Sequence, residues 1–151
     1  MLKITTLMIA LLTAGFGLTP VHADGGYNDK DSPLAPFQQL IEDEKYQQAI
    51  TELDEALRDK PDNADLLNLL AYSHRKLGHF DVAMENYLNA LKIDSDHRGA
   101  NEYLGELYLQ LGQPEKADER LAILDKECFF GCDEYDKLKR AIENYRKQNP
   151  S

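Results

Sequence analysis

Ala49, Ala83 and Ala117 stand 34 residues apart, and the same offset runs through the residues around them. It relates Tyr46 to Phe80, Leu53 to Tyr87 and Leu121, Ala56 to Ala90, Leu70 to Leu104, and the pair Leu77-Gly78 to Leu111-Gly112. A fixed period of this length marks a chain built from stacked supersecondary units, each burying its apolar face on the next. Within a period the apolar residues step at helical spacing: Leu66, Leu67, Leu70 and Leu77, then Phe80, Ala83, Met84, Tyr87, Leu88 and Leu91. Each unit is therefore expected to be a pair of helices. The break within a pair is placed at Gly78 and Gly112, where the residue past a helix end turns left-handed without a Cβ clash. Gln113-Pro114 then opens the following helix with proline in its first turn. The breaks between pairs are placed at Lys60-Pro61-Asp62-Asn63 and Asp94-Ser95-Asp96, where Asp or Asn can cap the next helix.

Composition agrees with a thin core under a charged surface, at 42% hydrophobic and 29% charged residues. Acidic residues number 27 against 17 basic ones, and the net charge of −10 argues against binding to nucleic acid or anionic membranes. The first 23 residues read as a signal peptide rather than as fold. A positive start (Met1-Leu2-Lys3) precedes the apolar stretch 4–18, and Thr19-Pro20-Val21-His22-Ala23 ends in small residues suited to cleavage. The apolar stretch falls short of the roughly 20 residues needed to span a bilayer, so stable membrane insertion after cleavage is not expected. The expected location is outside the cytoplasm, most readily the periplasm. Residues 24–32 (DGGYNDKDS) have almost nothing to bury and read as a disordered leader.

The repeated residues resemble the tetratricopeptide repeat. The likeness is carried by a small residue early in the second helix (Ala49, Ala83, Ala117) and a Leu-Ala or Leu-Gly pair midway along the first (Leu70-Ala71, Leu104-Gly105). An aromatic at the start of the second helix and a closing proline (Pro61) complete it. Small residues at a helix crossing permit close approach, while Tyr46, Phe80, Tyr87 and leucines fill the wider parts. The resemblance implies an all-α solenoid of about three units (33–61, 62–95, 96–128), followed by a turn and capping helix over 129–151. The chain departs from the pattern in three places. Glu44 stands where the first unit's glycine is expected, beside a short first helix containing Pro36; Ser95 replaces the second closing proline; Pro114 replaces the third aromatic. The helix over 133–147 carries Tyr135, Leu138, Ile142 and Tyr145 on one face and Lys137, Lys139, Arg140 and Glu143 on the other, as a cap on the last unit requires.

No catalytic constellation stands out. His74, His79 and His97 fall without HExxH, zinc or haem spacing, and no nucleophile elbow, phosphate loop or dinucleotide fingerprint occurs. Neither a metal nor a cofactor is expected, and acidic runs such as Glu42-Asp43-Glu44 are explained as solvated helix ends. Cys128-Phe129-Phe130-Gly131-Cys132 is the one local feature with chemistry. In an exported protein the pair reads first as a disulfide tying the third unit to the capping helix. A redox-active dithiol, metal or haem handling and free thiols remain as other readings, although the spacing is one residue longer than CxxC.

The resemblance implies function by binding, with the first helix of each pair lining a concave groove for a peptide or partner helix. The groove places fall on Asp65, Asn68, Tyr72, Arg75 and Lys76 in the second unit and Glu102, Tyr103, Glu106 and Leu109 in the third. Tyr72 and Tyr103 offer contact area, and Arg75 and Lys76 beside Glu102 and Glu106 would orient a peptide of mixed charge. The branch of the family that clamps a C-terminal carboxylate with cations is not matched, because its places hold Leu34, Gln38, Leu69, Gly99 and Tyr103. The expectation is a non-enzymatic envelope adaptor or scaffold with a protein partner. A thiol-linked assembly factor, for example in cytochrome or metalloenzyme maturation, is the alternative, and weak self-association through exposed repeat faces is a third reading.

Overall fold

A computed structural model of the chain describes residues 32–150, so the expected signal peptide and nearly all of the expected leader lie outside the described residues. Seven helices follow in order: α1 (Ala35–Glu42), α2 (Tyr46–Asp59), α3 (Ala64–Lys76), α4 (Phe80–Ile93), α5 (Arg98–Gln110), α6 (Pro114–Glu127) and α7 (Asp133–Gln148). Among the described residues there is no strand. Helices α1/α2, α3/α4 and α5/α6 pair, and α7 packs on α5 and α6 to close an all-α solenoid.

The three turns within pairs are built alike. Gly78 and Gly112 have φ of 80° and 70°, and Glu44, at the same offset, takes φ of 58° despite its Cβ. The next residue's N–H then reaches back five residues: Lys45 N to Leu40 O at 2.8 Å, His79 N to His74 O at 2.9 Å, and Gln113 N to Tyr108 O at 2.8 Å. That bond satisfies a carbonyl the helix end would leave unpaired. The turns between pairs differ from expectation at one cap. Asn63 caps α3, its Oδ1 accepting from Leu66 N at 2.9 Å. In the next unit the cap is His97, whose Nδ1 accepts from Ala100 N at 3.1 Å, and not one of Asp94, Ser95 or Asp96. The aspartates lie too early; Asp94 Oδ1 instead accepts from Asp96 N at 3.1 Å and shapes the turn.

Ala49, Ala83 and Ala117 are all fully buried at the helix crossings. The first helices touch in sequence, α1 with α3, α3 with α5 and α5 with α7, whereas α2, α4 and α6 do not touch one another. The stack therefore curves, with the odd-numbered helices on its inner side. Gly105 lets α7 approach closely, since a Cβ there would fall 2.6 Å from Leu138 Cδ2, and Leu138 is itself fully buried. The predicted apolar face of α7 is the packed one, with Leu138 and Ile142 buried and Tyr135 and Tyr145 half-buried. Cys128 and Cys132 stand at disulfide distance, S–S 1.99 Å and Cα–Cα 5.5 Å.

Candidate protein-interaction surface

A row of tyrosines crosses the stack, two of them on the inner helices α3 and α5 and one at the start of α2. The Tyr72 and Tyr103 rings lie 4.8 Å apart between centroids, bringing α3 and α5 together, and Tyr46 extends the row from Tyr72 at 6.5 Å. Two cations lie against these rings. The Arg75 guanidinium sits 5.3 Å from the Tyr72 centroid and 5.6 Å from that of Tyr103. Lys76 Nζ lies 5.7 Å from Tyr46 and 5.9 Å from Tyr72. Such geometry favours charge over the ring face and gives long side chains a fixed place.

Arg75 is the hinge of this surface, with a side chain only 6% exposed and Nη2 2.8 Å from Glu106 Oε2. Burial works against its charge, but the Glu106 carboxylate beside it holds the guanidinium protonated. The buried Tyr87 hydroxyl makes no hydrogen bond, nor does Arg75 Nε. Burial also pushes the Tyr103 hydroxyl well above its ordinary range, so it stays neutral in any physiological medium. Beside the pair opens a cleft of about 310 Å³ between α3, α5 and α7, lined by Arg75, Glu106, Leu109, Ala141, Asn144 and Tyr145.

Not all of the residues expected in the groove share this place. Tyr72, Arg75, Lys76, Tyr103 and Glu106 come together, and Leu109, 8% exposed, forms part of the cleft wall. Asn68 is buried instead, its amide only 3.0 Å from where a Cβ on Gly99 would lie, so it packs α3 on α5. Glu102 is 3% exposed and sits among Lys137 and Glu134 of α7. The cap has covered a position that would face the groove in an open-ended stack. Asp65 Oδ1 lies 3.1 Å from His97 Nε2, tying α3 to the start of α5.

Two contributors are absent from the sequence expectation. Tyr46 is read there as packing between helices, but it ends the tyrosine row. His97 carries both the α5 cap and the Asp65 contact; the repeat offset itself points to it, since His97 lies 34 residues after the cap Asn63. Among the described residues no group of three or more His, Cys, Asp or Glu is placed to hold a metal ion. No helix among them is long and apolar enough to cross a membrane.

Comparison with known proteins bears on the frame that carries this surface. A family model described as TPR repeat matches residues 38–78, and one described as tetratricopeptide repeat matches residues 68–122. A search of curated proteins gives no match. Among solved structures, the type III secretion translocator chaperone SycD of Yersinia enterocolitica aligns at TM-score 0.66 and 14% identity, over 82% of this chain and all of its own. A tetratricopeptide repeat protein from Parabacteroides merdae aligns at TM-score 0.63 and 20% identity, over 80% of this chain but 49% of its own length. These likenesses are of fold. With two matches that together run from residue 38 to 122 and a helix-pair stack that repeats as they require, the chain belongs to the tetratricopeptide repeat family.

Proposed function

We propose that this protein is a non-enzymatic adaptor that holds a peptide or partner helix on the inner side of its solenoid. The observation that carries the reading is the Tyr46–Tyr72–Tyr103 row with Arg75 and Lys76 laid against it. Aromatic rings joined to cations supply contact area and orientation at low entropic cost, as at the centres of protein interfaces. Lys76 is exposed and without a carboxylate partner among the described ion pairs, whereas Arg75 is already matched by Glu106. The surface thus favours a segment that brings an apolar or aromatic anchor for the cleft and an acidic group for Lys76. The positive start, apolar stretch and small-residue site of 1–23 support export, and the envelope as the place of work.

The cysteine pair supports a structural role over thiol exchange, because Cys128 is buried among Leu124, Leu138 and Ile142. The test is crosslinking and pull-down of the full chain from its own envelope fraction. Wild type is compared with Tyr72→Ala/Lys76→Glu and with Cys128→Ser/Cys132→Ser, each checked for its helical melt. Loss of the partner in the first variant alone is the expected result. A partner retained there and lost only without the cysteines would overturn the groove reading in favour of thiol-linked assembly.

A further inference from the structure

His74 and His79 meet across the turn of the second unit, with their Nδ1 atoms 3.3 Å apart and their ring centroids 5.5 Å apart. Five residues separate them in sequence, a spacing unlike that of a chelate on one helix, where zinc-binding histidines stand four apart. The turn makes the pair instead. His79 N donates to His74 O at 2.9 Å, and Gly78 at φ 80° carries the chain back, so one hydrogen-bonded ring of backbone holds both residues. The first and third units build the same turn with Leu40 and Lys45, and with Tyr108 and Gln113, at the matching places. Histidine is therefore not what the turn requires.

The ring of His79 is also turned away from its usual task. His79 precedes α4 as its N-cap, yet its side chain caps nothing. His97, in the same position before α5, uses Nδ1 to accept from the Ala100 amide. Two neutral imidazoles placed as His74 and His79 share one proton, with one Nδ1–H donating and the other Nδ1 accepting. A cation in place of that proton receives a lone pair from each ring. The separation selects the cation: zinc–nitrogen bonds of about 2.0–2.1 Å at tetrahedral angles set two ligating nitrogens about 3.3–3.4 Å apart. Right-angled ligands of a square-planar ion at the same bond length stand about 2.8–3.0 Å apart, closer than this pair. Asp54 of α2 lies near enough to add negative charge beside His74.

We propose that His74 and His79 bind a zinc ion through their Nδ1 atoms, as a two-point site carried by the α3–α4 turn. Among the described residues no third His, Cys, Asp or Glu is placed to complete the set, so water takes the other positions. The ion therefore exchanges freely and is not what holds the fold. His74 is half-buried and His79 exposed, so zinc reaches them without opening the stack. The site does not depend on the groove reading.

Calorimetric titration of the full chain with zinc chloride tests it, with the imidazole nitrogen NMR shifts followed alongside. Wild type is expected to take up zinc with both Nδ1 resonances moving together. His74→Leu and His79→Gln place in the second unit the residues that the first and third units carry there, so each should keep its melt and lose the uptake. His22→Asn and His97→Asn leave the pair intact and should bind as wild type; asparagine at 97 repeats the cap that Asn63 provides. A wild type that takes up no zinc overturns the proposal. So does uptake that survives in either pair variant, or that moves only Nε2 resonances, each of which would mean an adventitious ion only.

Discussion

Glu102 is the residue whose environment most opposes its ordinary charge. It is 3% exposed between α5 and α7; burial pushes its carboxyl up to about 8 from 4.5, with Lys137 opposing and Glu106 and Glu134 adding to the rise. Between those two values the folded chain keeps a proton that the unfolded chain has lost. The contribution is therefore fully present below about pH 4.5, falls as pH rises toward 8, and is constant beyond it. Glu102→Gln removes this slope. In urea titrations the difference between wild type and variant should grow across that window, reaching on the order of a few kcal/mol in the variant's favour at pH 8.5. A difference that stays flat with pH would mean that the carboxyl is solvated. Glu44 offers a second, independent case, being held at φ 58° where its counterparts are glycines. An L-residue in that region costs about 1–2 kcal/mol, partly offset by glycine's greater freedom when unfolded. Glu44→Gly should thus stabilise the chain by about 0.5–1 kcal/mol, read from the same titrations, whereas a loss would show that the Glu44 side chain has a contact of its own.

Helix α7 is the element that turns three repeats into a closed stack, and its fit rests on one missing methyl group. A Cβ at Gly105 would lie 2.6 Å from Leu138 Cδ2 and 2.7 Å from Cδ1. Glycine to alanine inside a helix ordinarily gains about 1 kcal/mol; here overpacking should reverse the sign and cost about 1–3 kcal/mol. Leu138→Ala alone should cost about 2–5 kcal/mol by leaving a cavity. In the double variant the new methyl enters that cavity, so the combined loss should fall short of the sum by about 1 kcal/mol or more. Simple additivity would separate α7 from Gly105. The same helix marks how far the sequence could be read. The 34-residue offset located the helix pairs, the left-handed turns and the buried alanines, because each is a local demand repeated in every unit. Which neighbour covers a helix face is not local. The family resemblance put Glu102 and Asn68 on the same side as Tyr72, but about one residue's rotation decides whether a side chain meets the next first helix or the groove. The resemblance set Arg75 beside Glu106 across two units, but that the two pair with each other at 2.8 Å, leaving Arg75 already matched, is not a local demand either.

At the scale of the whole molecule, stability is a chain of neighbouring contacts rather than one shared core. The buried residues fall into three clusters: α1–α3 around Leu53, α3–α5 around Tyr87, and α5–α7 around Leu138. Only adjacent helix pairs share them, so a local perturbation should stay local. The sulfur pair closes a ring of about five residues, for which loop-closure entropy gives about 2 kcal/mol. In a single cooperative domain that amount would appear everywhere. In a linear stack it should appear at one end only. Cys128→Ser/Cys132→Ser is therefore expected to speed hydrogen exchange of the α6 and α7 amides by about thirtyfold, the equivalent of 2 kcal/mol. Exchange in α1 and α2 should be unchanged, and already faster than in α3–α5, since α1 buries no residue and α2 packs on one full unit. An equal acceleration in all seven helices would show that the solenoid opens as one body, and that its repeats are coupled more strongly than their contacts suggest.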